Sequence, residues 1–450
     1  MGLEESISRH CLWLKTMKQK GGYGGPVAHY WSDSLQYTGP ATDWRYQGLI
    51  EGFLSLYEKT GQKEFLAEAI ACGDFIAGST GPDGSFHNDF FEDNPSFGRK
   101  NLLHDAAADI GLLLLSRQLK KEGLASGKYL GIAMKNFEGL IMPLFFDEKE
   151  KAFRQYPKSS GTKENLFVPN KICTAAELLL LLSEYSGNQK YLKIADASMQ
   201  KVLGLQNRSE PGGIFQSDTK DKIITFYVAR CIPALVKMHE ATKREEYKSA
   251  AESAAEFVKK MLSKEGFDFG FVFSGEKEGY VRLKCPVFVA GSADIIFGLK
   301  AAGQLKASEE KKLSALLRKG QDKSGGYRTA LGLEGKDNPE FRPGKPSWKD
   351  VLHVVGWNDK VLRFNAAMLE KNSIIEGAEL FEEDRVECSD AIYSETAKEI
   401  RVSGMQGIVF EKGGAFQSNI GFLKKSFYYL GNEKGIFPRL NSKLFRLGGK

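Results

Sequence analysis

His104 and Asp105 stand side by side at the head of an apolar run, NLLHDAAADIGLLLL at 101–115, and Asp109 follows four residues after Asp105. Residues four apart on a helix share a face, so the two carboxyls are spaced to couple, with one kept protonated near neutral pH. A neutral acid beside an ionised carboxylate is what general acid and base catalysis requires, and cleavage of a glycosidic bond needs two carboxylates flanking it. Asp43 heads a second run of this kind, TDWRYQGLIEGF, which makes Asp43 with Asp105 the first pair to consider. Asp89, in the loop GPDGSFHNDFFEDN before His104, forms the competing pair with Asp105. Against these stands the plain structural role of an aspartate at a helix start, which caps the first N–H groups. Asp105 is the sharpest choice for a catalytic group, with His104 as its hydrogen-bond partner.

The residue types around these acids suit a sugar. A pyranose offers an apolar face for stacking and a rim of hydroxyls for hydrogen bonds. His29, Tyr30, Trp31 and Asp33 in one loop, Trp44 and Arg45 beside Asp43, and His87 beside Asp89 supply both kinds of contact, as do Asn170, Tyr227, Arg230, His353 and Trp357 farther along. Trp44 and Trp357 are equally suited to filling a core. Elimination or epimerisation of a uronic acid would instead need an Arg or Asn to neutralise the carboxylate and a Tyr or His base. Asn170, Tyr227, Arg230 and His353 are of those types. No His-x3-His, clustered cysteine or acidic metal loop occurs, so neither a metal nor another cofactor is expected. Isoprenoid cyclisation or prenyl transfer is a second class; KGQDKSGGYRT at 319–329 looks like a turn of those barrels, and FFEDN at 90–94 is the nearest match to their acidic cluster. A non-catalytic ring that binds a partner is the third.

These residues are positioned by a repeat. Turns that pair glycine with an aromatic fall near 22, 84, 153, 213, 268 and 325, about 60 residues apart, and so regular a period marks a repeat architecture. Hydrophobic periodicity predicts helices over 3–19, 42–59, 62–77, 101–121, 128–146, 170–186, 189–206, 222–242, 245–264, 286–303, 308–319 and 348–370. Those that follow long loops are apolar nearly all round and belong inside, whereas those after short turns such as TGQ and SGNQ carry a charged face and belong outside. With 3–19 counted as the outer partner of 348–370, six inner and six outer helices close an all-α (α/α)6 toroid over 1–371. Every inner helix begins at a long loop, so inner-helix N-termini and long loops share one face, where unpaired N–H groups and partial positive charge suit anionic ligands. The pocket is expected on that face. Beyond 371, the segments 385–411 and 414–430 read as short strands. They make 372–450 a small β-containing extension packed on the toroid.

Three phrases, TDWRYQGLIEGFLSLYEKTGQKEFLAEA at 42–69, HDAAADIGLLLL at 104–115 and AAELLLLLSEYSGNQKYLKIA at 175–195, resemble successive hairpins of the six-hairpin glycosidases, above all the unsaturated glucuronyl and rhamnogalacturonyl hydrolases. The resemblance implies a carbohydrate-active enzyme, a glycoside hydrolase acting on an oligosaccharide, with a His-Asp near the start of one inner helix that maps to His104-Asp105. It also implies a second catalytic aspartate at the head of the next inner helix. There this chain reads Pro169-Asn170-Lys171 and has no carboxylate.

Composition narrows the partners. The 450 residues carry 63 basic and 57 acidic side chains interleaved along the chain, a net charge of +6 too weak and too scattered to imply nucleic acid. Leu112–Leu115 and Leu178–Leu182 are the longest leucine runs and are soon interrupted by charge, so no membrane span is expected. The start MGLEESISRHCLWL lacks the basic flank and apolar core of a signal peptide. Cys11, Cys72, Cys173, Cys231, Cys285 and Cys388 lie singly, as reduced thiols in a reducing compartment do, and a cytoplasmic location is the expectation.

Overall fold

The computed structural model describes residues 2–19, 22–28, 35–38, 40, 42–86, 101–161, 163–209, 212–274, 279–335, 338–379, 381–404, 408–412 and 417–418. Twelve helices of ten or more residues lie among them: Leu3–Thr16 (α1), Arg45–Thr60 (α2), Lys63–Gly78 (α3), Leu102–Lys121 (α4), Gly127–Asn136 (α5), Pro169–Ser186 (α6), Gln189–Asn207 (α7), Thr225–Thr242 (α8), Glu245–Lys260 (α9), Ser292–Ala301 (α10), Ala307–Arg318 (α11) and Val355–Met368 (α12).

The even-numbered helices form the inner ring. α2 packs on α4, α4 on α6, α6 on α8, α8 on α10, α10 on α12, and α12 returns to α2. Each inner helix also has its outer partner: α3, α5, α7, α9 and α11 follow α2, α4, α6, α8 and α10 through the short turns, and α1 packs against α12. The fold is therefore the closed (α/α)6 toroid. The short turns are built for reversal: Gly61 ends α2 in the left-handed conformation at φ 71°, where its N–H bonds the Tyr57 carbonyl and a Cβ would be strained. Apolar side chains fill the space between the two layers, as where Tyr46 of α2 stacks on Phe75 of α3 with centroids 5.2 Å apart.

Three predicted helices are interrupted, each for a local reason. Gly127–Asn136 runs through a wider π turn at Phe137–Ile141 into Met142–Phe145, because Pro143 has no N–H for the regular ladder. The run at 286–303 opens as a short strand, Val287–Phe288, paired with Ala330–Leu331, and turns helical only at Ser292. The last inner run divides into Trp348–Val351 and α12, because Leu352 adopts an extended conformation and His353 pairs with Arg328 across a β-bridge.

The β structure beyond the ring is a four-stranded antiparallel meander, Asp384–Glu387, Ile392–Glu395, Glu399–Ser403 and Ile408–Glu411. It sits on the ring's closing hairpin, where the Trp13 indole of α1 donates to Glu395 Oε1 at 2.9 Å. Gln417–Ser418 adds to the edge of Leu35–Thr38, which pairs with Gly25–Ala28, so the C-terminal segment is also joined to the first long loop.

Candidate functional site

Each inner helix carries a few charged residues within its apolar run, and Glu51, Glu177, Arg230, Lys237, Asp294 and Arg363 form one linked set. Glu51 of α2 accepts from Arg363 of α12 at 2.8 Å, and Arg363 also donates to Asp294 Oδ1 of α10. Arg230 of α8 places Nη1 3.2 Å from Asp294 Oδ2, an ion pair without aligned hydrogen-bond geometry, so the buried Oδ2 accepts no hydrogen bond among the described residues. Lys237, two turns deeper on α8, donates to Glu177 of α6 at 2.7 Å. The charges of Glu51 and Arg363 act on Lys237, and that of Arg363 acts on Glu177, so side chains from opposite walls converge at mid-depth. Among these groups Asp294 is 1% exposed, Arg363 9%, Glu177 11%, Arg230 16% and Glu51 19%, whereas Lys237 is 50% exposed, so the belt is buried around Asp294 and reaches solvent at Lys237.

Burial would raise the pKa of Asp294, but Arg363, Arg230 and Lys360 outweigh it and hold the carboxyl below the usual range. Burial likewise works against ionised Glu177, and Lys237 with Arg230 overcomes it. Asp359 of α12 behaves in the opposite way. Burial, with the charge of Asp294 adding to it, lifts Asp359 to about 7 despite Lys360, whose ammonium lies 3.1 Å from Asp359 Oδ1. A Cβ at position 48 would come within 2.2 Å of Asp359 Oδ2, so Gly48 of α2 is what lets that carboxyl fit at the ring's closure.

Above the belt, toward the long-loop end, the walls are aromatic. The Trp44 indole donates to the Gly356 carbonyl at 2.8 Å, and Trp357 stacks on Phe288 with centroids 4.8 Å apart. Lys360 lies between them, its ammonium 5.9 Å from the Trp44 ring and 5.5 Å from the Trp357 ring. Trp44, Trp357 and Tyr227 are each only half-buried. Tyr227 is raised to about 12 by burial and by neighbouring Tyr156, so its phenol is a neutral donor. Asn170, at the head of α6, has a buried Oδ1 that meets no donor among the described residues.

Of the residues singled out from sequence, Trp44, Asn170, Tyr227, Arg230 and Trp357 come together here, while His29, Trp31, His87 and Asp89, with Tyr30 and Asp33, lie outside the described residues. Asp43, Arg45, His104, Asp105, Asp109 and His353 lie elsewhere. Asp43 is fully buried and clamped by Arg45: its Oδ1 accepts the Arg45 backbone N–H at 2.9 Å and Nε at 2.8 Å, and Nη2 lies 2.6 Å from Oδ2. Arg45 also donates to the Tyr23 carbonyl at 3.1 Å and is itself buried, so this pair starts α2 within the wall.

Asp105 and Asp109 are also misplaced for a lumen site. The lumen side of α4 is marked by half-buried Leu103 and Leu114 and exposed Arg117; Asp105 faces away from it, with Oδ1 3.5 Å from the Asn136 amide of outer helix α5. Asp109 lies one turn along, buried, with neither oxygen meeting a donor among the described residues. Burial and the charge of Asp105 raise it well above the usual carboxylate range. The coupled pair exists, but inside the wall between the two layers. His104 is buried beside Trp44, ring centroids 5.2 Å apart.

His353 is also away from the lumen. It is fully buried between two carboxylates, with Nδ1 2.6 Å from Glu395 Oε2 and Nε2 3.0 Å from Asp322 Oδ2. Glu395 further binds Lys412 at 2.6 Å and the Tyr393 hydroxyl at 2.7 Å. This cluster fastens the β-meander to the ring and does not face the lumen.

A ring of six helical hairpins around a polar lumen places the chain among the six-hairpin toroids. No family model matches it, and no curated protein does. Solved structures do match, at the level of fold. A D-mannose isomerase superposes with a TM-score of 0.58 at 12% identity, over 81% of this chain and 96% of the other. An unsaturated glucuronyl hydrolase from a Bacillus species gives 0.55 at 16% identity, over 81% and 94%. A cellobiose 2-epimerase from Bacillus thermoamylovorans gives 0.54 at 12%, over 80% and 97%. The fold-level resemblance to the six-hairpin glycosidases is thus present throughout the ring. Among the described residues no helix is long and apolar enough to cross a membrane.

Proposed function

We propose that this chain is a carbohydrate-active enzyme that cleaves an oligosaccharide whose end enters the lumen from the long-loop face. The observation that carries the proposal is Asp294 Oδ2, a buried carboxylate oxygen that accepts no hydrogen bond among the described residues and is covered by Arg230, beneath half-buried Trp44, Trp357 and Tyr227. Aromatic rings stack on the apolar face of a pyranose, while Asn170 Oδ1 and the Tyr227 hydroxyl serve its rim. Two carboxyls whose surroundings push their pKa values apart divide the acid and base roles. Asp294, held low by its arginines, is the ionised partner, and Asp359, at about 7, is the proton donor. Arg230 is the more exposed member of its ion pair with Asp294, and its withdrawal uncovers Oδ2. The sugar-converting activities named for the similar folds support a saccharide ligand.

The test is turnover of neutral and uronic-acid oligosaccharides followed by chromatography of the products, with Asp294→Asn as the variant. Release of new reducing ends by the wild type and a loss of roughly two to four orders of magnitude in a variant that still melts cooperatively is the expected result. Wild-type rates in Asp294→Asn would remove the residue from the mechanism. Isomerised product without chain cleavage would move the chain to the epimerase and isomerase class.

A further inference from the structure

A two-stranded ribbon stands on the same rim as the lumen. Gly270–Ser274 and Gly279–Leu283 pair in register from Gly270↔Leu283 to Ser274↔Gly279, and the base of the ribbon pairs with Ile223–Ile224. That short strand runs directly into α8, the helix that carries Tyr227 and Arg230. The junction is rigid. Thr225 donates its N–H to the Phe269 carbonyl at 2.8 Å and its hydroxyl to the Asp268 carbonyl at 2.7 Å. Gly270 lies so close to Ile223 that a Cβ would stand 1.8 Å from the Ile223 carbonyl oxygen.

The composition of this ribbon is unusual for one in water. Phe271, Val272, Phe273, Tyr280 and Val281 alternate along it; Phe271, Val272 and Tyr280 are partly buried against the core, Phe271 beside Phe257 with centroids 6.0 Å apart, while Phe273 is 53% exposed. An isolated hairpin is marginal, and exposed apolar surface of this kind marks a place where something binds. Its two faces differ. Val272 and Val281 pair on one, whereas Phe271, Phe273, Tyr280 and Arg282 share the other. On that second face Phe273 meets Tyr280 edge-on at 5.7 Å, and Tyr280 stacks on Phe215 at 6.4 Å. Guanidinium groups flank the rings: Arg208 lies 6.0 Å from the Phe215 centroid, and Arg282 is fixed by Asp268 at 2.8 Å.

We propose that the aromatic face of this ribbon is a distal saccharide subsite, which holds units of an oligosaccharide remote from the unit in the lumen. It rests on the lumen reading above for its occupant. The argument is continuity and chemistry: the ribbon's base is hydrogen-bonded to the start of a lumen-lining helix, and exposed Phe273, backed edge-on by Tyr280 and with Arg282 on the same face, offers a ring for a pyranose face and donors for its hydroxyls. A protein partner would also be served by exposed Phe273, but the guanidinium of Arg282, held by Asp268 on the same face, adds donors that suit hydroxyls.

The experiment is calorimetric titration of the full chain with gluco-, manno- and hyaluronan-derived oligosaccharides from disaccharide to octasaccharide. Wild type, Phe273→Ala and Phe273→Trp are compared, with size-exclusion chromatography of each. Phe273 is exposed, so its truncation leaves the core intact. The expected result is affinity that rises with chain length in the wild type, a rise lowered about three- to tenfold in Phe273→Ala and retained in Phe273→Trp, with the shortest ligands unaffected. Unchanged length dependence in Phe273→Ala overturns the subsite, as does conversion of a wild-type dimer to monomer with saccharide binding intact, since the ribbon would then be a self-association surface. Length-dependent binding through Phe273 with no effect of Asp294→Asn on turnover would retain the subsite and sink the lumen assignment. Absence of binding by any of these saccharides would reject both.

Discussion

Arg363 Nη1 lies 2.8 Å from Glu51 Oε2, and this pair joins the last inner helix to the first across 312 positions of sequence. The same guanidinium holds Asp294, so one cation serves carboxylates from the helices on either side of it.

Arg363→Leu removes that cation, leaving buried Asp294 to Arg230 alone and half-buried Glu51 to the Gln47 amide. Breaking a buried ion pair in this way costs about 3–5 kcal/mol. Urea unfolding should show a lower midpoint with an unchanged slope, and a midpoint equal to the wild type would mean that the pair contributes nothing to closure.

Asp359 sets a pH dependence with a definite sign. Its carboxyl is raised by burial from 3.8 to about 7, so the native state binds this proton more tightly than the unfolded chain does. Stability from this group is therefore present below the usual carboxylate range and is lost as pH rises through that window. Asp359→Asn should be increasingly stable relative to the wild type from about pH 4 to about pH 7. In its proposed role as proton donor, turnover in the wild type should fall above about pH 7, and the variant should lack that limb. A variant that keeps the limb would assign it to another group.

His353 gives the opposite limit. Burial opposes its charge, but Glu395 and Asp322 overcome this and raise its pKa from 6.5 to about 9. Its contribution is full below about 6.5 and disappears as pH rises through about 9, as the imidazolium loses its proton. Chemical denaturation of the wild type and His353→Gln should converge over that interval. A constant difference would show that the histidine acts by shape and not by charge.

The ring was legible in the sequence because its signal is repeated. All-round apolar runs such as KICTAAELLLLLSEY alternate with one-faced runs such as EEYKSAAESAAEFVKKM, and the structure separates them into inner and outer layers. Local breaks were less legible: Leu352 and His353 have helical neighbours, and only their tertiary bonds take them out of the helix. The site was half legible. Attention to helix starts finds Trp44, Asn170, Tyr227 and Arg230, but passes over Glu51, Glu177, Asp294, Lys360 and Arg363, which lie within the runs. The available signal was a charged residue inside an otherwise apolar helix, as in SADIIFGL and VGWNDKVLRFNAAM. Asp105 misleads because its spacing to Asp109 is right for coupling while its direction, toward Asn136, depends on which side of α4 the neighbouring helices occupy.

The belt of ion pairs at mid-depth also limits how a polymer can be handled. Glu51, Arg363, Asp294 and Arg230 are linked across α2, α12, α10 and α8 and little exposed, so on that side the wall is closed at the depth of Asp294. On the proposed reading the lumen is a socket entered from the long-loop face: only a terminus reaches Asp294, attack is confined to chain ends, and each product must back out past Trp44 and Trp357 before the next terminus enters.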